Sequence, residues 1–331
     1  MRITKHRLYI LSYLVISVLY GLLLTLLPNE LFRDRQNYIV YAIDSMKIMD
    51  RYDGLAILTN EPLFLLLNSF LSNFFKPEVI PLVFVFFTGF TVSFFILYKG
   101  RNALVCFLGF LALLLIPQAF HMQLVVLRQS FAASVMMWAI LFLGHKRYFK
   151  LIVFSLGFIH SSMFIVFFFI VVDGFFRQLV SEKIILRSLF LFIVSIVISL
   201  LILPVAQMLA LRQATEYSST LTGVGGGNFI LFSGILIIIF TQYKRRYLND
   251  GHYVMAILGL SIYLGMYFFS PFAGRLMVSF LPFIICLLCY FSNMRALILM
   301  VALILLNAAI FKQSIEGASL TQEGVFFFNQ W

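Results

Sequence analysis

Apolar stretches dominate the chain, at about 8–27, 55–75, 79–98, 103–120, 124–144, 151–172, 184–205, 228–243, 252–270, 276–291 and 296–311. Most approach the length of about 20 residues that crosses a bilayer core as a helix. None shows the strict apolar–polar alternation of a membrane strand. Lipid also offers the backbone no hydrogen bonds, so the pattern predicts helices. Two stretches are interrupted. The first carries Glu61, Pro62 and Asn68, and the second has His160, Ser161 and Ser162 in its middle. Simple alternation of all the stretches would place Lys99, Arg101 and the run His145–Lys150 outside, against the tendency of Lys and Arg to stay on the cytoplasmic side. The conflict disappears if 55–75 enters and returns from outside and 151–172 from inside. Non-helical backbone at depth is tolerated where protein or a water-filled cavity covers it. The predicted fold is all-α: a polytopic membrane helix bundle with about nine full spans plus two broken or re-entrant segments. It forms a single integral membrane domain over residues 1–331, with the N-terminus inside and the C-terminus outside. The longer polar segments, 28–54, 206–227 and 312–331, then lie outside.

Composition strengthens this reading. Of 331 residues, 62% are hydrophobic, 11% are charged and 40 are Phe. A soluble domain carries roughly 45–50% apolar and about 25% charged residues. The net charge of +11 is not a nucleic-acid signal, because the basic residues sit in short clusters between apolar runs. In the predicted topology the inner side holds 15 of the 24 Lys and Arg residues. The segment behind Arg2, Lys5 and Arg7 has no small-residue cleavage site and reads as retained. Cys106, Cys286 and Cys289 all lie in apolar runs and suggest no disulfide framework. The run Gly223–Gly227 lacks a following Lys-Ser/Thr, so it is not a P-loop. A flexible loop end explains it, with an anion-binding backbone nest before Asn228 as the sharper alternative.

Chemistry is sought where polar residues sit at a cost. An arginine in a spanning helix costs roughly 2.5–3.5 kcal/mol on insertion scales. Arg128, in Leu127-Arg128-Gln129, and Arg275, in Gly274-Arg275, both open apolar helices from the outer side. Snorkelling to lipid phosphate explains either one alone. Two at one predicted depth, with Arg33, Arg35 and Arg212 in outer loops, point to a shared anion site, since guanidinium suits bidentate phosphate binding. Glu61 is a structural ion-pair partner or a general base facing an incoming hydroxyl. His160 is a packing residue or a second proton-transfer group. His121, two helical turns before Arg128, shares its face if the helix continues between them. Asp34-Arg35-Gln36-Asn37-Tyr38 is polar and aromatic, which suits sugar binding, although an interfacial aromatic belt also explains Tyr38 and Tyr41. No Cys/His cluster with zinc-site spacing is present, and neither a metal nor a cofactor is expected.

Five short blocks, in order, resemble the EpsG family of bacterial polysaccharide polymerases, functional relatives of the Wzy O-antigen polymerases. They are Asp34-Arg35-Gln36-Asn37-Tyr38, Glu61-Pro62-Leu63-Phe64, Leu127-Arg128-Gln129-Ser130-Phe131-Ala132 with Lys146-Arg147, Phe158-Ile159-His160-Ser161-Ser162, and Gly274-Arg275-Leu276. The resemblance implies a GT-C-like, multi-pass inner-membrane glycosyltransferase. It would join undecaprenyl-pyrophosphate-linked repeat units into O-antigen, capsule or exopolysaccharide on the periplasmic side. Its partners would be the lipid-linked glycan and membrane lipid, with a chain-length regulator and a flippase as candidate protein partners. On this reading Arg128 and Arg275 neutralise the departing pyrophosphate, while Glu61 or His160 takes the acceptor proton. Arg33, Asp34, Arg35, Asn37, Tyr38, His121, Gln129, Arg212 and Tyr217 then line the substrate site. Competing classes are a lipid-linked oligosaccharide flippase, an O-antigen ligase and a sugar acyltransferase. No internal repeat of the transporter kind is evident. The early catalytic His of common acyltransferases is missing too, because His6 lies in the basic tail.

Overall fold

The computed structural model describes residues 2–32, 34–54, 57–58, 60–144, 146–180, 183–208, 226–242, 244–270, 272–291 and 293–316. Their regular elements are all helical. In chain order they are α1 Arg2–Thr25, α2 Arg35–Met49, α3 Pro62–Ser72, α4 Ile80–Lys99, α5 Ala103–Leu115, α6 Pro117–Leu124 and α7 Leu127–Leu143. There follow α8 Tyr148–Leu156, α9 Ser162–Val180, α10 Ile184–Met208, α11 Gly227–Thr241, α12 Gly251–Met266, α13 Ala273–Tyr290 and α14 Met294–Glu316. Six of them (α1, α4, α9, α10, α13 and α14) are long and apolar enough to cross a bilayer. The bent pair α5–α6 makes a seventh if it is one span. By length and apolarity, then, six or seven spans qualify among the described residues, beside the nine expected. The difference lies in one bent pair and in shorter apolar helices. Apolar residues 103–120 are bent by 75° at Ile116 and Pro117, while α7, α11 and α12 have only 17, 15 and 16 residues. The break inside 151–172 is present between α8 and α9, but α9 runs on to Val180 and is long enough to span by itself. Segment 28–54, read as a polar outer loop, instead contains the 15-residue helix α2.

The described residues form two compact units, residues 1–164 with 285–331, and residues 165–284. In the first unit α4 is central and buries thirteen of its twenty residues. It meets α1 at two glycines. A Cβ on Gly21 would lie 3.0 Å from Phe86, and one on Gly89 would lie 2.7 Å from Leu24. Small residues of this kind let membrane helices approach closely. Trp138 of α7 stacks on Phe90 and Phe94, and its indole N–H donates to Thr91 Oγ1 at 3.0 Å.

Polar residues in this unit repair the helix breaks. Pro117 has no N–H to offer the Leu113 carbonyl four residues back. Gln123, fully buried, donates from Nε2 to the Leu113 and Ala119 carbonyls, both at 3.0 Å, and accepts from the Tyr20 hydroxyl at 2.8 Å. An unsatisfied carbonyl in an apolar interior costs about 1–3 kcal/mol, so Gln123 is the residue that makes the bend tolerable.

In the second unit α12 is apolar and buried on nearly every side, as expected of a core helix. A Cβ on Gly259 would meet the Phe280 side chain at 2.2 Å, so Phe280 of α13 packs directly on the α12 backbone. The hairpin α9–α10 is clasped by a buried bidentate pair, Arg187 Nε to Asp173 Oδ1 at 2.8 Å and Nη2 to Oδ2 at 2.5 Å.

Candidate functional site

Three short chain segments of the first unit converge. Glu61 precedes Pro62 at the start of α3, with φ 61° and ψ 50°. This left-handed conformation is costly for a residue with a side chain, on the order of 1–2 kcal/mol, and its occurrence here marks a position held by its surroundings. The Glu61 carbonyl accepts from the N–H groups of Phe64 and Leu65, which starts α3. The N–H of Leu63 reaches outward to the Phe158 carbonyl at 3.0 Å. That bond ties the head of α3 to the non-helical turn 157–161 between α8 and α9. The turn itself needs Gly157, where a Cβ would lie 2.4 Å from the Phe164 ring.

The joined segments bring the polar groups together. His160 Nδ1 lies 2.6 Å from Glu61 Oε1, and the Ser161 backbone N–H donates to the same oxygen at 3.2 Å. Arg128 Nη1 donates to the other carboxylate oxygen, Oε2. The side chains of Glu61 and His160 are 10% and 13% exposed, and that of Arg128 is 31% exposed. The cluster is thus shielded from solvent on the carboxylate side and open on the guanidinium side. Glu61 lies outside every helix long enough to span. Burial opposes its ionisation, but the hydrogen bond from His160, the charge of Arg128 and the Ser161 N–H outweigh that and hold its pKa down at about 2. A carboxylate so held is a weak proton acceptor and a strong orienting anion.

Aromatic rings surround the cation. The Arg128 Cζ lies 5.2 Å from the Tyr41 ring centroid and 5.8 Å from those of Tyr38 and Phe64. Phe64 meets Tyr38 and Tyr41 edge-on and packs on Phe84 beneath. Rings at these distances attract a guanidinium and fix its plane.

Glu61, Arg128, His160 and Tyr38, all singled out from the sequence, are therefore neighbours. Others are not. Arg35 is fully buried and turns into the protein. Asp34 is an exposed left-handed residue whose Oδ1 accepts from Asn37 at 3.3 Å. Gln129 is buried within α7. His121 does not continue the helical face of Arg128. The helix is broken after Leu124, where Val126 leaves helical geometry with φ −87° and ψ 60°, so the assumed continuity fails. Arg275 is exposed in the first turn of α13, in the second unit's stretch of chain. Arg33, Arg212 and Tyr217 lie outside the described residues. Sequence reading did not single out Phe64 or the Ser161 N–H for the site, and mentioned Tyr41 only with an aromatic belt as an alternative explanation. Nearness in sequence to Glu61 and His160 was the available signal for the first two. No group of three or more His, Cys, Asp or Glu side chains that could hold a metal occurs among the described residues.

Residues 6–327 match the family model described as the EpsG family. No curated protein and no solved structure matches the chain. The match covers nearly the whole sequence, and the chain belongs to the EpsG family, a Wzy-like polymerase family.

Proposed function

From membership in this family of polysaccharide-polymerase-like membrane proteins, we propose that the protein joins undecaprenyl-pyrophosphate-linked oligosaccharide repeat units into a longer glycan. The proposed reaction runs on the periplasmic side of the inner membrane without a catalytic metal, at the cluster of Glu61, Arg128 and His160. The observation that supports it is their convergence across 67 and 99 residues of chain on one carboxylate. A buried structural ion pair alone does not call for a histidine on the second oxygen and a partly open arginine.

The roles follow from the geometry. Glu61 accepts from His160 Nδ1–H and so sets the tautomer in which Nε2 carries the lone pair. No described residue's hydrogen bond engages that Nε2. His160 then receives the proton of the acceptor hydroxyl as its oxygen attacks the anomeric carbon of the donor. The new C–O bond forms, the C–O bond to pyrophosphate breaks, and the polyprenyl pyrophosphate leaves as an anion. Arg128, one N–H spent on Glu61, turns its remaining donors toward that developing charge. Preorganised stabilisation of this kind is commonly worth about 10²–10³ in rate per donor. A positioned general base adds roughly 10²–10⁴. Direct displacement inverts the anomeric configuration. Arg275 is retained as a separate candidate phosphate ligand.

The test is reconstitution of purified protein with lipid-linked repeats. A ladder of longer glycans, with inverted linkage by NMR, supports the proposal. Translocation with no new glycosidic bond would make the protein a flippase instead. Transfer only to lipid A core would make it a ligase.

A further inference from the structure

Arg35 is a large, charged side chain with no exposed surface and no ion-pair partner among the described residues. Its Nε donates to the Leu124 carbonyl at 2.7 Å, and Nη1 donates to Asn29 Oδ1 at 2.8 Å. The Asn29 amide is in turn anchored on the Glu78 carbonyl at 2.8 Å. The guanidinium lies 5.1 Å over the Phe32 ring. Nη2 is buried without a hydrogen-bond partner in the described residues. Burial lowers the pKa to about 10, so the group stays cationic at neutral pH. Keeping an unpaired cation in this setting is costly, and a purely packing role would be served by Met or Leu.

The partner it selects explains the cost. In an unbroken helix the Leu124 carbonyl would accept from the N–H of Arg128, four residues on. That bond is not made here. Val125 and Val126 both turn back to the His121 carbonyl, and Leu127 N–H bonds Val125. The Met122 carbonyl accepts from Ser130 Oγ instead of a backbone N–H. Helix α2 meets this broken stretch at two points. Arg35 takes the Leu124 carbonyl, and the ring of Tyr38, one turn along the same face, lies 5.8 Å from the Arg128 Cζ. The Arg128 side chain is thereby delivered to Glu61 and not along the axis of α6.

We propose that Arg35 is a positioning residue: by occupying the Leu124 carbonyl it holds the α6–α7 break open and so sets Arg128 against Glu61. It touches neither Glu61 nor His160, and it acts through the backbone of residues 124–128. This goes beyond the roles assigned above, and its activity arm rests on them.

The experiment compares Arg35→Met and Arg35→Lys with the wild-type full-length protein in detergent. Hydrogen exchange reads the break directly. Amides of 124–130 are expected to exchange at least tenfold faster in Arg35→Met, with 132–140 of α7 unchanged and Arg35→Lys between the two. Unchanged exchange at 124–130, or acceleration spread equally through α7, overturns the proposal. The second readout is turnover with lipid-linked repeats. Arg35→Met should lower kcat ten- to a hundredfold per folded molecule at constant KM, because small misplacements of a catalytic group cost rates of this order. Adding Arg35→Met to Arg128→Ala should then reduce the rate less than twofold further. Effects that simply multiply would mean that Arg35 contributes stability alone. If Arg35→Met does not accumulate in membranes, Arg35→Lys carries the same comparisons. A wild-type protein that makes no glycan removes the proposed polymerase reaction but leaves the exchange result to decide the role of Arg35.

Discussion

Glu61→Gln removes one charge and almost no volume, so it isolates the electrostatic part of the cluster. Two unit charges roughly 4 Å apart interact by about 4 kcal/mol at an effective dielectric of 20. Breaking a fully buried pair costs about 3–5 kcal/mol, whereas exposed pairs contribute about 0.2–1 kcal/mol. The Arg128 side chain is 31% exposed and the Glu61 side chain 10%, which places this pair between the limits. After discounting for solvent on the arginine side, the coupling should be on the order of 1–3 kcal/mol. The single substitution also weakens the acceptor for His160 and Ser161, so its own cost exceeds that of the pair. A double-mutant cycle of Glu61→Gln and Arg128→Gln removes the excess. Unfolding in mixed micelles can be followed by the fluorescence of Trp138, which stacks on Phe90, Phe94 and Phe142 in the same unit. Additivity within about 0.3–0.5 kcal/mol, the range found for independent sites, would refute the ion pair and with it the geometry of the site.

The pH dependence of this pair has a fixed sign. The Glu61 carboxyl is lowered from 4.5 to about 2 in the folded protein. Its stabilisation is therefore complete above about pH 4.5 and fades as pH falls toward 2. The stability gap between wild type and Glu61→Gln should be flat above pH 5 and shrink below 4.5, and a gap growing on acidification would contradict the assignment. His160→Ala should lower turnover about 10²–10⁴-fold while the protein still melts cooperatively. Arg128→Lys should also be a poor enzyme by glycan-ladder assay, because a point charge replaces neither the planar fork nor its seat among Tyr38, Tyr41 and Phe64. Gln123→Leu strands the Leu113 carbonyl and the Tyr20 hydroxyl and should cost about 2–3 kcal/mol. Adding Tyr20→Phe should recover about 1 kcal/mol in the same unfolding assay.

The membrane as solvent and the helical class were legible from composition and run length, because those depend on how many apolar side chains follow one another. The break at His160 was legible for the same reason, and so was the expense of Arg128 and Glu61 within apolar surroundings. The helix in 35–49 was not. Its buried positions, Arg35, Tyr38, Ala42, Ser45 and Ile48, follow helical spacing but mix charged, polar and apolar residues, so no apolar stripe appears. The bends after Leu115 and Leu124 were hidden differently: the first is repaired locally by Gln123 of α6, while Val125, Val126 and Leu127 continue the apolar run through the second, whose freed Leu124 carbonyl is met by Arg35 from far away in the chain. Only packing could decide which costly groups meet. Glu61 finds Arg128 and His160 because the Leu63–Phe158 bond and the aromatic floor under Phe64 bring separate segments into register. Arg35, from the same polar block as Tyr38, is turned inward because a carbonyl freed by a distant helix break lies there to receive it. Local sterics and hydrophobicity act over a few residues, whereas an unsatisfied buried group is resolved by whatever partner the whole fold places within 3 Å.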